Sequence, residues 1–435
     1  MATDIEAEFS PSEAYAEQLD AADPLADLRD RFYIPDGELY MDGNSLGLLS
    51  KDAEATLDRV IEEWKELGIR GWTDAEIPWF WYAERLGDQL APLVGAAESE
   101  VVVSNSTTVN IHTLIGTFYE PETAPKILVN ELDFPTDHYA IRAQMRNRGV
   151  DPDENLVVVE SQDGRTIEEA DVVDALETHD DIGLVFLPSV FYRSGQLLDI
   201  GRLTDAAHDN GALIGFDLAH TVGVVPHDLS ANDVDFAVWC HYKYLNAGPG
   251  AIAGLYVNER HFGTEPALPG WWGHKKDTQF EMNMTYTPAE TAGAWQIGTI
   301  PMLSAAPLEG ALEVVEDAGI DAIREKSRRQ TEYLMELVDH RLADSPYEFR
   351  IGTPRDPERR GGHVAIERDA DAYPISQALK DRGVVVDFRP PNVIRICPSP
   401  LYTRYQDIWQ VSEHLQAIIE EGEHEAYRSD SDGVT

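Results

Sequence analysis

Along the chain, the spacing of apolar and polar positions changes twice. Residues 51 to 68, KDAEATLDRVIEEWKELG, carry apolar side chains at helical spacing and stop at Gly68, which predicts one amphipathic helix. From about residue 100 the pattern becomes short continuous apolar runs: VVVS (101–104), KILVN (126–130), LVVVE (156–160), IGLVFLP (182–188), ALIGFD (212–217), DFAVWC (235–240) and IAGLYV (252–257). Helix-like stretches such as TIEEADVVDALETH and LTDAAHDN separate several of them. Continuous apolar strands alternating with helices predict an α/β fold with a mostly parallel central sheet covered on both faces. After residue 305 the texture changes again. LEGALEVVEDAGIDAIREKSRRQTEYLMELVDHRL reads as one long amphipathic helix. HVAIE, VVVDF and VIRIC read as short strands, and a helix closes the chain after Asp407. The expected division is an N-terminal arm (1–50) contributing to a small domain, a large α/β domain (51–305), a small α+β domain (306–425) and a flexible tail (426–435). EGEHEAYRSDSDGVT as a whole reads as frayed.

Charge sharpens this picture. Asp and Glu number 79 against 34 Lys and Arg, a net charge of −45, and only eight of the cations are Lys. The acids are dispersed rather than held in one block. So acidic a chain repels nucleic acid and anionic membranes, and neither is expected as a partner. Its self-repulsion opposes compaction unless salt screens it, which predicts a halophilic protein from a salt-loaded cytosol. An ordinary acidic cytosolic enzyme is the blander reading, and the size and spread of the excess weigh against it. The two cysteines, Cys240 and Cys397, have neither CxxC nor metal-ligand spacing, so reduced thiols and no metal are expected. The opening MATDIEAEFSP is not a signal peptide, and no apolar run is long enough to cross a bilayer. A cytoplasmic protein is expected.

In an open α/β sheet, ligands bind beyond the carboxyl ends of the strands. Three features fall there. Asp217 ends the apolar run ALIGFD; its bland reading is a helix N-cap. Lys243 follows DFAVWC and precedes the turn NAGPG, in WCHYKYLNAGPG. A lysine so placed either snorkels to water or serves chemistry that needs a partly desolvated amine. SNSTTVNIH (104–112) puts hydroxyls where a helix begins, which is a phosphate site or simple capping. Together the three describe a pyridoxal 5'-phosphate site: a lysine for the aldehyde, an acid for the ring nitrogen, a helix start for the phosphate. No GxGxxG or GxxxxGK[ST] motif competes.

The chain also resembles kynureninase, a pyridoxal-phosphate hydrolase family with the type I fold of the aspartate aminotransferase superfamily. The resemblance rests on GNSLG (43–47), TVNIH (108–112), FPTDHYAI (134–141), GFDLAH (215–220), DFAVWCHYKYLNAGPGAIAG (235–254), PGWWGH (269–274) and IRICPSPLY (394–402), in order over most of the chain. It implies Lys243 as the imine lysine and Asp217 as partner of the ring nitrogen, with His220 close by. Thr107 and Thr108 would meet the phosphate. Phe134 through Asp137, Thr136 included, would line the cofactor, with the Phe134 ring stacked on the pyridine. Tyr242 and Trp271 would donate to the phosphate, and Thr299 fits the same shell. Trp271 and Thr299 would come from the neighbouring subunit, which implies a homodimer with shared sites. Arg395 would clamp the substrate carboxylate, and Tyr242 would relay a proton. The resemblance departs at Pro188, where the family often has a hydroxyl or small residue, and Ser189 stands next.

The implied reaction is hydrolysis of L-kynurenine, or of its 3-hydroxy form, to anthranilate or 3-hydroxyanthranilate and L-alanine, in tryptophan degradation and NAD biosynthesis. The aromatic segment RGWTDAEIPWFWYAERLG (70–87) would supply an apolar pocket for the aryl group. The rivals are an aminotransferase, a cysteine desulfurase, and a cofactor-binding regulator without catalysis. Bland readings also stand beside the residues: Arg395 as a strand arginine bridging to a surface acid, His220 as a core histidine, Trp271 as packing.

Overall fold

The computed structural model describes residues 9–428. Its first strand is the short Leu39–Tyr40 (β1). The seven apolar runs become Val101–Val103 (β2), Lys126–Asn130 (β3), Leu156–Val159 (β4), Ile182–Pro188 (β5), Leu213–Asp217 (β6), Phe236–Cys240 (β7) and Ala253–Val257 (β8). They form one sheet in the order β2-β8-β7-β6-β5-β3-β4. From β3 to β7 all pairings are parallel. β8 runs antiparallel to β7, and β2 antiparallel to β8. The two reversals return β2 to the direction of β7, so every strand except β8 points its carboxyl end at the same edge. Every residue of β7 and β8 is buried, as continuous apolar strands require when both faces are covered. β4, at the edge, is only partly buried.

A second sheet follows the chain's later change of texture. It contains Arg350–Ile351 (β9) and Val364–Glu367 (β10). After the two-residue Val384–Val385 (β11) come Asp387–Arg389 (β12) and Val393–Ile396 (β13). The order is β12-β13-β10-β9, all antiparallel. Two separate apolar clusters result. One surrounds the large sheet; the other joins Leu334, Val338, Ile366, Ile394 and Leu415 with Ala16 and Met41 from the start of the chain.

Four sequence expectations are corrected here. The single long helix is two, Met302–Ala318 and Ile320–Arg341. Gly319 lies between them at φ 76°, a left-handed conformation open to glycine that ends the first helix. VVVDF is not one strand. β11 pairs in parallel with β1, while β12 pairs with β13, because the N-terminal arm claims the backbone of Gly383 and Val385. The closing helix starts before Asp407, at Tyr405. Asp407 caps Arg404 N at 2.9 Å, and Asp20, nearly four hundred residues earlier, accepts from Tyr405 N at 2.6 Å and Gln406 N at 3.0 Å. The tail is not frayed throughout: Glu423–Ala426 form a 3-10 turn, and Arg382 bonds Glu423 at 2.7 Å. Residues 429–435 lie outside the described residues. No helix of the described residues is long and apolar enough to cross a membrane.

Candidate active site

The shared carboxyl edge of the large sheet gathers most of the singled-out residues. β2 turns into the helix Thr107–Phe118 through Asn105, at φ 52°. Asparagine tolerates that conformation. Its amide donates to Asn110 Oδ1 at 2.9 Å, and the Asn110 amide donates to Ser104 O at 2.9 Å. Ser106, at the N-cap, makes no side-chain cap, so its hydroxyl does not take up the opening N–H groups of the helix. Thr108 and Thr136 meet there, hydroxyl to hydroxyl at 2.9 Å. Thr136 belongs to the helix Pro135–Asn147 that follows β3. Phe134, just before that helix, holds its ring half exposed and edge-on to Tyr192, 5.3 Å between centroids.

Asp217 is the last residue of β6. Its Oδ1 accepts from Ala219 N at 2.7 Å. Lys243 lies three residues beyond β7, in a loop fixed from both ends. His241 accepts from Trp239 Nε1 at 2.8 Å and donates from Nδ1 to Ile252 O at 2.5 Å. Burial pushes that imidazole down to about 4, so the neutral tautomer persists. On the other side, Gly47 N donates to Tyr242 O at 2.7 Å. A Cβ on Gly47 would collide with the Lys243 carbonyl and the Asn246 side chain, so this glycine is required by close approach. Gly47→Ala is expected to displace the lysine loop, costing about 1–3 kcal/mol. The urea midpoint of the variant checks this, and an unchanged midpoint would refute it.

Lys243 Nζ lies 3.0 Å from His220 Nε2. The ammonium donates, so His220 carries its own proton on Nδ1, which is buried and has no partner among the described residues. Burial, then Lys243 and neighbouring arginines, hold His220 well below its ordinary value. Opposite stand three buried carboxyls, Asp133, Asp137 and Asp217. Burial, then Asp133 and Asp217, push Asp137 well up, and burial pushes Asp133 to about 7. Burial also raises Asp217, against the pull of Lys243. Asp137 and Asp133 stand side by side as interacting carboxyls, and neither Asp137 oxygen receives a hydrogen bond from the other described residues.

Arg395 is fully buried on β13. The acid that it meets is Asp387 of β12, buried and directly across the strand pair, not a surface acid. Its Nε reaches Asp387 Oδ1 at 2.6 Å, its Nη1 reaches Tyr192 O at 2.7 Å, and its Nη2 reaches Ser45 Oγ at 2.9 Å and also Asp387 Oδ2. Ser189, beside Pro188, turns its hydroxyl to Asp217 O at 3.2 Å and Thr221 Oγ1 at 3.0 Å.

Trp271 and Thr299 are not brought to Lys243 within this chain. Trp271, half exposed, donates to Gln279 O at 3.2 Å. Thr299 is exposed in an apolar groove of about 480 Å3 with Val60, Trp64, Trp72 and Leu303. The rings of segment 70–87 pack on one another and on the loop after Trp271, as in Trp72 against Trp272 at 5.5 Å and Phe80 against Phe280 at 5.6 Å. Lys276 pins the two segments, 4.5 Å from the Trp81 ring and 2.7 Å from Glu84.

Sequence reasoning assigned no role to Tyr192, Asp133, Asp387, Arg389 or His363. His363 lies 5.7 Å from the His220 ring, with both nitrogens buried and without a partner among the described residues. One signal was readable: DFR on an apolar strand sets two charges on one face.

A cofactor with a phosphate at one end and a basic ring nitrogen at the other answers both halves of this edge. Its phosphate would meet the open helix start, and its protonated nitrogen would give the crowded carboxyls a cationic donor. The fold agrees with that class, the pyridoxal-phosphate enzymes of fold type I. A C-DES variant with glycine covalently linked to its PLP cofactor matches with a TM-score of 0.77 at 17% identity, over 89% of this chain and 98% of that one. The apo cysteine desulfurase of Thermococcus onnurineus NA1 matches with a TM-score of 0.77 at 18% identity, over 91% and 98%. Sequence relatives narrow the class. The kynureninase of Geobacillus thermodenitrificans (strain NG80-2) is 51% identical over 98% of this chain and 99% of its own length. That of Bacillus anthracis is 50% identical over 97% of each. The family model of the kynureninase C-terminal domain matches residues 323–415. The chain belongs to the kynureninase family.

Proposed function

We propose that this protein hydrolyses the Cβ–Cγ bond of L-kynurenine, releasing anthranilate and L-alanine, with pyridoxal 5'-phosphate as cofactor. 3-Hydroxy-L-kynurenine, giving 3-hydroxyanthranilate, belongs to the same reading, as does a place in tryptophan degradation and NAD biosynthesis. The observation that carries it is the Lys243–His220 pair facing Asp217 at the carboxyl edge of the sheet, in a chain that matches kynureninases from end to end.

When bound, the cofactor supplies an aldehyde for the substrate amine and a cationic ring that draws electron density from the substrate Cα. Asp217 holds the ring nitrogen protonated, with Asp137 beside it. Phe134 offers its half-exposed ring as the stacking face. Thr107, Thr108, Thr136 and the open helix start hold the phosphate, with Tyr242 as a further donor. Lys243 takes the Cα proton as general base and returns a proton to the substrate. His220, neutral and 3.0 Å away, orients its amine. Arg395 faces the substrate carboxylate. Water adds to the aryl ketone, and Tyr242 relays the proton when the Cβ–Cγ bond breaks.

The rivals fit less well. A desulfurase needs a reactive cysteine on an accessible loop, and both cysteines here are buried. Burial raises both thiols, Cys397 to about 12. An aminotransferase is separated by its products. A regulator without catalysis has no need of an amine set between His220 and Asp217.

The reading includes a homodimer. Trp271, Phe280, Met282 and Leu303 are large apolar side chains left exposed. A second copy covering them would bring its own Trp271 and Thr299 to the phosphate. The division into a large domain (51–305) and a small one (306–425), with the arm 1–50 joining the latter, is supported by the two apolar clusters and the pairing of β1 with β11. The reading also includes a cytoplasmic, halophilic protein, supported by the charge of −45.

The direct test follows the cofactor's absorption and the fluorescence of anthranilate when purified protein meets L-kynurenine in concentrated KCl. Cofactor absorption with anthranilate release is expected. Cofactor absorption without it would overturn the substrate assignment. The charge makes its own prediction. Raising KCl from about 0.1 M to about 1 M shortens the screening length from about 10 Å to about 3 Å, so the thermal midpoint is expected to rise. A flat or falling midpoint would remove the halophilic reading.

A further inference from the structure

Around Arg395 the second sheet buries a balanced set of charges. Met41 N donates to Val385 O at 2.9 Å, and Cys397 N donates to Met41 O at 2.8 Å. That seats the chain just after β1 between the approach to β12 and the end of β13. Asp42 pairs there with Cys397, two residues beyond Arg395. It is buried beside Asp387, Arg389 and Arg395. Asp387 accepts from both guanidiniums, from Arg395 Nε at 2.6 Å and from Arg389 Nη2 at 2.7 Å. The Ser45 hydroxyl, reached by Arg395 Nη2 at 2.9 Å, donates to Asp387 Oδ2 at 2.9 Å and also borders Asp42. Asp42 Oδ1 is buried with no donor among the described residues.

Two guanidiniums and two carboxylates sum to zero. The other titratable groups facing them are neutral: burial pushes the Tyr40 phenol and the Cys397 thiol up to about 12, and the His363 imidazole down to about 3. A substrate carboxylate brought to Arg395 leaves this buried group with one negative charge in excess unless a proton arrives with it. An unbalanced buried charge is costly. Asp387 is badly placed to take the proton. Against the effect of burial, its hydrogen bond from Arg395 and the two positive charges hold it below its ordinary value. Asp42 is well placed. Burial, then Asp387, push it up to about 6, and protonation removes charge from the carboxyl whose oxygen has no donor.

We propose that the substrate carboxylate binds together with a proton and that Asp42 receives it: Arg395 grips the carboxylate, and Asp42 gives up its own charge. This rests on the reading of Arg395 as the carboxylate site of a pyridoxal-phosphate enzyme. The sign follows by linkage. Below the value of free Asp42, about 6, the proton is already in place and affinity does not depend on it. Above that value the ligand must bring the proton in, and affinity falls by up to about tenfold for each pH unit.

The test uses kynurenine lacking its α-amine, a carboxylate that cannot react with the cofactor's aldehyde. Its inhibition constant is measured on the cofactor-loaded enzyme through anthranilate fluorescence. For the wild type the constant is expected to rise roughly 10- to 100-fold between about pH 6 and about pH 8. For Asp42→Asn, neutral throughout, it is expected to stay within about 2-fold, so that at the upper pH the variant binds more tightly than the wild type. A merely structural role for Asp42 predicts weaker binding by the variant at every pH. That result, or parallel pH curves for the two proteins, would overturn the proposal. If the variant fails to fold, calorimetry of the wild type in two buffers of unlike ionisation enthalpy counts the proton directly. Uptake approaching one proton per ligand at about pH 8, with the cofactor's absorption unchanged, is expected. No uptake, or uptake matched by a shift of the cofactor's absorption, would overturn the proposal. Absence of any cofactor band, or of inhibition at every pH, would instead overturn the underlying reading, and the proposal with it.

Discussion

Replacing Lys243 by alanine is expected to lower kynurenine turnover by at least about 10⁴-fold, because on the proposed reading it removes at once the group that bonds the cofactor and the base for the Cα proton. His220, 3.0 Å away, is a poor substitute base, because burial and the lysine itself hold it well below its ordinary value. The fold is expected to survive. The loop is fixed through its backbone, by Gly47 N to Tyr242 O at 2.7 Å and Asn246 N to Lys243 O at 3.0 Å, neither of which needs the lysine side chain. Circular dichroism should therefore match the wild type, while the cofactor's absorption changes and anthranilate release falls to background. A variant that keeps more than about one hundredth of the activity would show that another group does the proton transfer, and the reading built on Lys243 would fail.

Asp217→Asn is the second large effect. Asparagine keeps the shape and keeps an oxygen for Ala219 N, so the 2.7 Å hydrogen bond at the strand end can persist. What disappears is the negative charge proposed to face the ring nitrogen. Losing a preorganised electrostatic contact of this kind costs roughly 10²–10³ in kcat. Asp137 is a poor substitute, since burial and its carboxyl neighbours favour its protonated form. KM is expected to move far less than kcat, because the charge acts on the transition state more than on substrate docking. Steady-state kinetics on cofactor-saturated variant settles this; a kcat within about 10-fold of wild type would exclude the role given to Asp217.

Much of the architecture was legible because burial on both faces writes strands as unbroken apolar runs. β3, β5, β6 and β7 stand where those runs do, and Asp217 and Lys243 stand at or just past their ends. What was misread depended on distant partners. Nothing near VVVDF shows that β1, over three hundred residues earlier, takes its first half. The early start of the last helix depends on Asp20, equally remote. The long helix was misjudged for a local reason: helical spacing continues on both sides of Gly319, and only its left-handed φ reveals the break. At the site, strand ends and helix starts could be read, but convergence could not. Asp133, Tyr192, His363 and Arg389 come from four separate stretches, and none has an unusual neighbourhood in sequence except the alternating charges of DFR. The aromatic segment 70–87 was expected around the substrate; in this chain its rings pack against the loop that follows Trp271.

The reversal at the edge of the large sheet governs the order in which this protein can be made. β2 leaves the ribosome long before β8, yet Val101 pairs with Tyr256, and β8 alone joins β2 to the rest of the sheet. The parallel strands β3 to β7 can pair as they are synthesised, whereas β2 and the helix it leads into must wait for more than a hundred further residues. Such long-range closure slows folding. The helix start proposed to hold the phosphate is thus expected to be the last part of the large sheet's edge to settle, after the lysine loop has already emerged. A nascent chain stopped before residue 253 would display Asp217 and Lys243 and still be unable to hold the cofactor.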